Sequence, residues 1–485
     1  MRGQTICILV ASLGLAGCSS DQAGDVASYR QFSDAPQPLP TRHAGEPLSL
    51  IDALRLTTAY NEQLAVQGER SIQTLAQRQR AGAALLPSFD FFTGVALREN
   101  SGSNRVVQTD VGISGQYRLL TGLSDLRNVE AAEYRVESSR WLILDLRESL
   151  LVQTARAYYA TLRAERLSGV LASSVDAQTE RLNDARARNE VGFARPLDVS
   201  QIESQVSRTR AQLIAAQREA AEARSTLAFL VNAEIGTSSL VDGFEAISAE
   251  RSLDLMISLA RANRQDVRAA RSEADASRAE VDAAIGQYAP SIGVNLDYFL
   301  VGAPDDPVSD IASLIEIRLP LFSAGRIEAD VRESWSRFRE RVLTYRARVR
   351  EVRRDVETAY IRLQESIRLE AELRTQVRVA RQALELAEAS YEAGLGTNLE
   401  RVTAQDELLT AELQAVSQSF LTKTASLELR RACGLLSAEM LGTALPTPET
   451  RPPPTSPFLD RSTNEERSPS ATTPEPVVAQ RGEQP

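Results

Sequence analysis

The chain has 485 residues, with 55 Lys and Arg against 65 Asp and Glu, a formal net charge of -10. That balance leaves no basic surplus to hold nucleic acid, and a single histidine, His43, argues against a His-based metal or catalytic site. No run of about twenty apolar residues occurs, so no transmembrane helix is expected, and no phosphate loop, metal-ligand spacing or nucleophile elbow points to a cofactor, a metal or an enzyme.

Residues 1–17 read as a signal peptide. Arg2 supplies the positive start, and Ile6 to Leu13 form an apolar core too short to span a bilayer. Leu15-Ala16-Gly17-Cys18 then resembles a bacterial lipobox, whose cleavage leaves Cys18 as a lipid-bearing N-terminus; the alternative is an ordinary signal peptide with an incidental cysteine. Ser19, rather than Asp, follows, which by resemblance to enterobacterial sorting rules favours the outer membrane. Cys7 leaves with the signal and Cys18 is the lipid-bearing residue, so Cys433 has no second cysteine for a disulfide and the mature chain is expected to lack an internal one. Residues 18–47, polar and Pro-bearing, read as an extended leader.

Two repeats follow, residues 48–250 and 251–444. The first opens with a helix over Ser49–Leu85. Pro87 to Leu119 then alternates with period 2: Phe89, Phe91, Thr93, Val95 and Leu97 against Asp90, Phe92, Gly94, Ala96 and Arg98, a polar turn Glu99–Asn104, then Val107, Thr109, Val111, Ile113, Tyr117 and Leu119 against Gln108, Asp110, Ser114, Gln116 and Arg118. This pattern gives two strands, each with an apolar and a polar face. Their length suits a tilted crossing of a bilayer. A proline-free run from Gly122 to Val191 predicts a helix of about 100 Å, and Leu197–Val231 a return helix of about half that length. Leu171, Val175, Gln178, Leu182, Ala185 and Asn189 step by 4 and 3, the spacing of a coiled-coil seam.

The second repeat has the same order. Ser252–Gln287 predicts a helix. Ile292, Val294, Leu296, Tyr298 and Leu300 alternate with Gly293, Asn295 and Asp297; after Gly302–Pro307, Ile311, Ser313, Ile315, Ile317 and Leu319 alternate with Glu316 and Arg318. A long helix over Ala324–Ala393 carries the seam Leu373, Val377, Ala380, Leu384, Ala387 and Tyr391, shifted by 202 from the first. Leu399–Cys433 returns. The breaks at 232–251 and after Cys433 are expected to join in one small domain midway along the long helices. Residues 445–485, rich in Pro, Thr, Glu and Ser, read as a disordered tail.

Four strands are too few to enclose a lumen, and open edges are not tolerated in lipid. If they span a membrane, several chains must share one barrel. A soluble coiled-coil scaffold explains the helices but not two amphipathic hairpins behind a lipobox; a freestanding porin explains the strands but not the helices.

From Leu48 to Gly434 the chain resembles the TolC-like outer membrane efflux proteins. The most specific motif is Leu319-Pro320-Leu321-Phe322-Ser323-Ala324-Gly325-Arg326, similar to the family's strand-to-helix junction. The first-half equivalent, Arg118 to Leu123, lacks the Pro, the Phe and the second Gly. The resemblance implies a mainly α protein with β: a homotrimer in which four strands per protomer close a transmembrane β-barrel, continuous with a long coiled-coil α-helical barrel in the periplasm. It further implies the exit duct of a tripartite export system, with a periplasmic adaptor protein, an inner membrane transporter and outer membrane lipid as partners and no catalysis of its own. Drug efflux is the expected cargo class, with type I protein secretion as the alternative. Adaptor contacts are expected at the tips Val191, Gly192, Phe193, Ala194, Arg195 and Ala393, Gly394, Leu395, Gly396, Thr397. A periplasmic gate is expected at Leu399, Glu400, Thr403 and Asp406, with Leu399 as the apolar plug; the alternative buries Leu399 in the seam and leaves the acids solvated.

Overall fold

A computed structural model describes residues 23–27, 46–99, 105–236, 238–245, 252–301 and 311–444. Cys18, His43, most of the leader, both hairpin turns and the tail lie outside them. In chain order the elements are β1 (Leu48–Ser49), α1 (Leu50–Tyr60), α2 (Glu62–Ala83), β2 (Ser88–Glu99), β3 (Arg105–Thr121), α3 (Ser124–Glu190), α4 (Pro196–Val231), β4 (Leu240–Val241), α5 (Leu253–Asn263), α6 (Gln265–Gly286), β5 (Ser291–Val301), β6 (Ile311–Arg318), α7 (Arg326–Glu392), α8 (Asn398–Ala432) and α9 (Leu436–Leu441). The repeat read from the sequence is present in the elements themselves: α3 and α7 each have 67 residues, and α2 and α6 each have 22.

The chain divides into two compact units. The described residues of the first, within 1–87, 132–272 and 347–450, are mainly helical. Its main core joins the two breaks in the helical hairpins: Ile235 and Leu436 pack with Leu54, Tyr158, Tyr159, Leu227, Phe420 and Leu427. β1 and β4 pair in parallel beside it. The Tyr158 hydroxyl lies 2.7 Å from the Leu48 carbonyl and 2.8 Å from that of Val241, so one buried side chain joins both short strands. Burial pushes the Tyr158 and Tyr159 phenols well above the usual tyrosine range.

Two predicted helices differ from expectation. Ser49–Leu85 and Ser252–Gln287 are each broken, at Asn61 and Arg264, both of extended backbone. Side-chain caps make the breaks. Asn61 Oδ1 accepts from Gln63 N at 3.0 Å while its amide donates to the Leu230 carbonyl. The buried Arg264 guanidinium donates to both Asp266 oxygens, at 2.9 and 2.7 Å, and Asp266 accepts from Val267 N. Such side chains offer the backbone a partner that a continuous helix does not. Residues 23–27, inside the expected extended leader, form a short helix, because Val26 packs on Leu64, Ile143 and Leu150.

The second unit, whose described residues fall within 88–131 and 273–346, holds an antiparallel sheet of order β2-β3-β5-β6. Phe91, Ile113, Tyr298 and Ile311 are in register across all four strands on one face; Asp90, Ser114, Asp297 and Ala312 are in register on the other. The alternation read from the sequence therefore makes one apolar and one polar face. Below the sheet, Gly122 packs so tightly on α6 that a Cβ would lie 2.0 Å from the Gly286 carbonyl. The Ser124 hydroxyl donates to the Ala283 carbonyl at 2.7 Å.

Candidate functional site

The two helical hairpin tips and the helix starts just after them form the candidate site. Tip one begins where α3 ends. Gly192 takes φ +82, a left-handed turn that glycine adopts without a side-chain clash. Phe193 N bonds back to the Arg188 carbonyl at 2.8 Å, and the Asn189 amide donates to the Ala194 carbonyl at 2.8 Å. Arg195 then donates through Nε and Nη2 to Asp198, at 3.0 and 2.9 Å, and Pro196 opens α4. These bonds from Arg195 hold the Asp198 carboxyl below the usual carboxylate range.

Tip two repeats the turn with other side chains. Gly394 takes φ +71, and the Leu395 and Gly396 amides both reach the Ser390 carbonyl at 2.9 Å. Thr397 and Glu400 close a capping box: Glu400 N donates to Thr397 Oγ1 at 3.2 Å, and Thr397 N to Glu400 Oε2 at 3.0 Å. The tips expose apolar side chains: Phe193 is 86% accessible and Leu395 88%, with Val191 also exposed.

Of the expected gate residues, Leu399 is exposed at 61%, not buried in the seam. Thr403 is exposed beside it. Glu400 serves the cap of α8. Asp406 faces the first hairpin, accepting from Gln205 Nε2 at 2.7 Å and lying 3.4 Å from Arg208 Nη1. Between the tips, the half-buried Arg401 lies over the Tyr391 ring, 4.3 Å from its centroid, and donates to Asn398 at 2.9 Å. Burial pulls its guanidinium below the usual arginine range.

Sequence reasoning missed how the hairpins of one chain are joined. Arg181 of α3 pairs with Glu388 of α7, and Val402 packs on Leu182, Ala185, Ile202 and Val206. A cleft of about 610 Å³ lies between them, lined by Arg181, Leu384, Gln405 and Leu409 among others. Partners about two hundred positions apart leave no periodic signal. The capping box does leave one, Thr-x-x-Glu at 397–400.

A helical body with paired long hairpins and a four-stranded sheet of two unlike faces is the architecture of a membrane duct protein. The sequence pattern of the outer membrane efflux proteins matches residues 54–233 and again 256–435, and the chain belongs to that family. It is similar to the outer membrane efflux protein BepC of Brucella suis, 26% identical over 342 residues, 68% of this chain and 73% of BepC. It is also similar to the toluene efflux pump outer membrane protein TtgC of Pseudomonas putida, 24% identical over 447 residues, 86% of this chain and 87% of TtgC. Among solved structures, the outer membrane protein VceC of Vibrio cholerae shares the fold, with a TM-score of 0.71 at 19% identity over 79% of this chain and 96% of VceC. The chain is thus an outer membrane efflux channel protein.

Proposed function

We propose that three copies of this chain close one twelve-stranded barrel and form the exit duct of a tripartite export system for small molecules. The observation that carries this reading is the sheet. β2 and β6 are its two edges, and its apolar face suits lipid. Each unpaired backbone group in lipid costs several kcal/mol; pairing β6 of one copy with β2 of the next removes every edge. The toluene named for the TtgC relative supports a small-molecule cargo.

In this reading Cys18 carries the lipid that delivers the chain to the outer membrane, and the mass of the mature N-terminus tests it. The exposed Phe193 and Leu395 meet a periplasmic adaptor, which links the duct to an inner membrane transporter; the duct performs no catalysis. Leu399, Glu400, Thr403 and Asp406 surround the periplasmic gate. Cysteine pairs along β2 and β6 should give disulfide-linked trimers in outer membranes; only single chains would reject the shared barrel. Phe193→Glu with Leu395→Glu should abolish export while trimers persist, and unchanged drug resistance would reject the docking tips.

A further inference from the structure

The polar face of the sheet carries two aromatic side chains among its described residues, Phe92 on β2 and Phe299 on β5. They lie at one level: both pair in register with Gly112 of β3 between them. Their rings meet edge to face, with centroids 5.6 Å apart and an interplanar angle of 82°. Gly112 makes room for the Phe92 ring, since a Cβ there would come within 2.7 Å of that ring and 2.5 Å of the Tyr298 carbonyl. On the apolar face the Phe89 ring packs over Gly115 in the same way. The polar face adds a second ring, Phe299, at the level of Gly112.

The backbone is irregular at the same level. The register shifts between Val111 and Gly112, whose partners are Val301 and Phe299, so Leu300 is the extra residue of a bulge. Bulges re-aim the side chains beside them and gather at barrel rims and functional sites. One step along the strands, about 7 Å away, Asp90 and Asp297 lie in register on either side of Ser114, on the same face as the rings. Aromatic faces attract cations, most strongly those that shed water easily, and carboxylates beside them add Coulombic attraction in a narrow channel.

We propose that Phe92 and Phe299 form an aromatic constriction inside the strand section of the duct, and that with Asp90 and Asp297 it selects hydrophobic cations. This inference rests on the trimeric barrel, which puts every copy's rings at one level around the lumen.

Planar-bilayer recording of the purified full-length protein tests it, with tetraphenylphosphonium added from the hairpin-turn side as the probe. The wild-type current should be blocked. Phe92→Ala with Phe299→Ala should need about tenfold more probe for the same block. Phe92→Tyr with Phe299→Tyr keeps the rings and should keep the block, which separates loss of the rings from misfolding. Asp90→Asn with Asp297→Asn should move the potassium-to-chloride permeability ratio toward one. Trimers that insert and conduct, yet show the same block with and without the rings, overturn the constriction. Chains that never assemble or conduct overturn the barrel reading instead.

Discussion

At the junction from β3 to α3 the backbone turns through φ +60 at Gly122 and +67 at Leu123; from β6 to α7 it turns through +52 at Ala324 and +83 at Gly325. The two junctions share one conformation, two left-handed residues in a row, but glycine holds the first place in one and the second place in the other. Their surroundings differ as much as their sequences. A Cβ on Gly122 would meet the Gly286 carbonyl, whereas a Cβ on Gly325 meets nothing within 4 Å. Duplication has therefore kept the turn while each half satisfies its sterics separately. At Leu123 and Ala324 a side chain sits where L-residues are strained by about 1–3 kcal/mol.

The sharpest way to break the comparison is to give both glycines a methyl group. Gly122→Ala adds a backbone collision to the left-handed strain and should cost about 3 kcal/mol or more. Gly325→Ala adds strain alone and should cost about 1 kcal/mol. Thermal unfolding of the two purified variants checks this. Equal losses would mean that the close approach of Gly122 to α6 does not matter.

The hairpins differ in the same way. The seam of the first is buried at Leu171, Val175, Gln178, Leu182 and Ala185, while the equivalent positions of the second are half-buried. The bridges Arg181–Glu388 and Arg208–Asp406 link the two across this difference. Both are partly solvated, so Glu388→Gln with Asp406→Asn should cost only about 1 kcal/mol. Its larger expected sign is functional: freed from the first hairpin, the second should move and raise single-channel conductance. Leu399→Ala with Thr403→Ala should raise it too if those side chains narrow the opening. A rise in the second pair alone would assign the closure to side-chain bulk rather than to the bridges.

These differences also show what the sequence discloses. Period 2 marks both strand pairs to within a few residues, and the 4-3 steps mark the seam positions that the fold buries in the first hairpin and half-buries in the second. Both signals come from burial, which repeats along an element. The breaks at Asn61 and Arg264 fall at equivalent places in the two halves but leave no periodic signal along the helix; each rests on a few local side-chain bonds, inside a stretch whose composition suits a continuous helix. The Pro-Phe motif at 320–322 marks one junction, yet the other reaches the same backbone without it, because φ is set by two residues and their steric room. Glu400, expected at the gate from the family resemblance, is tied into a cap that the spacing from Thr397 announces. Asp406, expected there by the same resemblance, faces the other hairpin, a contact that only tertiary structure creates.

A smaller effect separates the junctions in the opposite direction. Leu123→Gly relieves a strained leucine, but a glycine also frees the unfolded chain by roughly 0.5–1 kcal/mol. The net gain should be within about 1 kcal/mol, read as a slight rise in unfolding temperature. Ala324→Gly gives up a smaller side chain at a similar φ and should be near neutral. A loss at Leu123 would mean that its side chain, 56% exposed here, is held by a neighbouring copy.

The smallest expected effect concerns the first tip. Hydrogen bonds from Arg195 hold the Asp198 carboxyl below its ordinary value, with its burial opposing them. In the unfolded chain that carboxyl returns to about 4. A group whose folded value is depressed contributes stability above its unfolded value and loses it as pH falls through the folded one. The first tip should therefore loosen as pH drops below about 4, the more so as the Arg195 and Asp198 pair also fixes the start of α4. Arg195 itself is open to solvent, so the effect is local rather than global. Hydrogen exchange at 191–198, corrected for the intrinsic pH dependence, should accelerate on acidification, and Asp198→Asn should show fast exchange at every pH. If exchange at the first tip stays flat through that range in the wild type, the ion pair does not hold the tip.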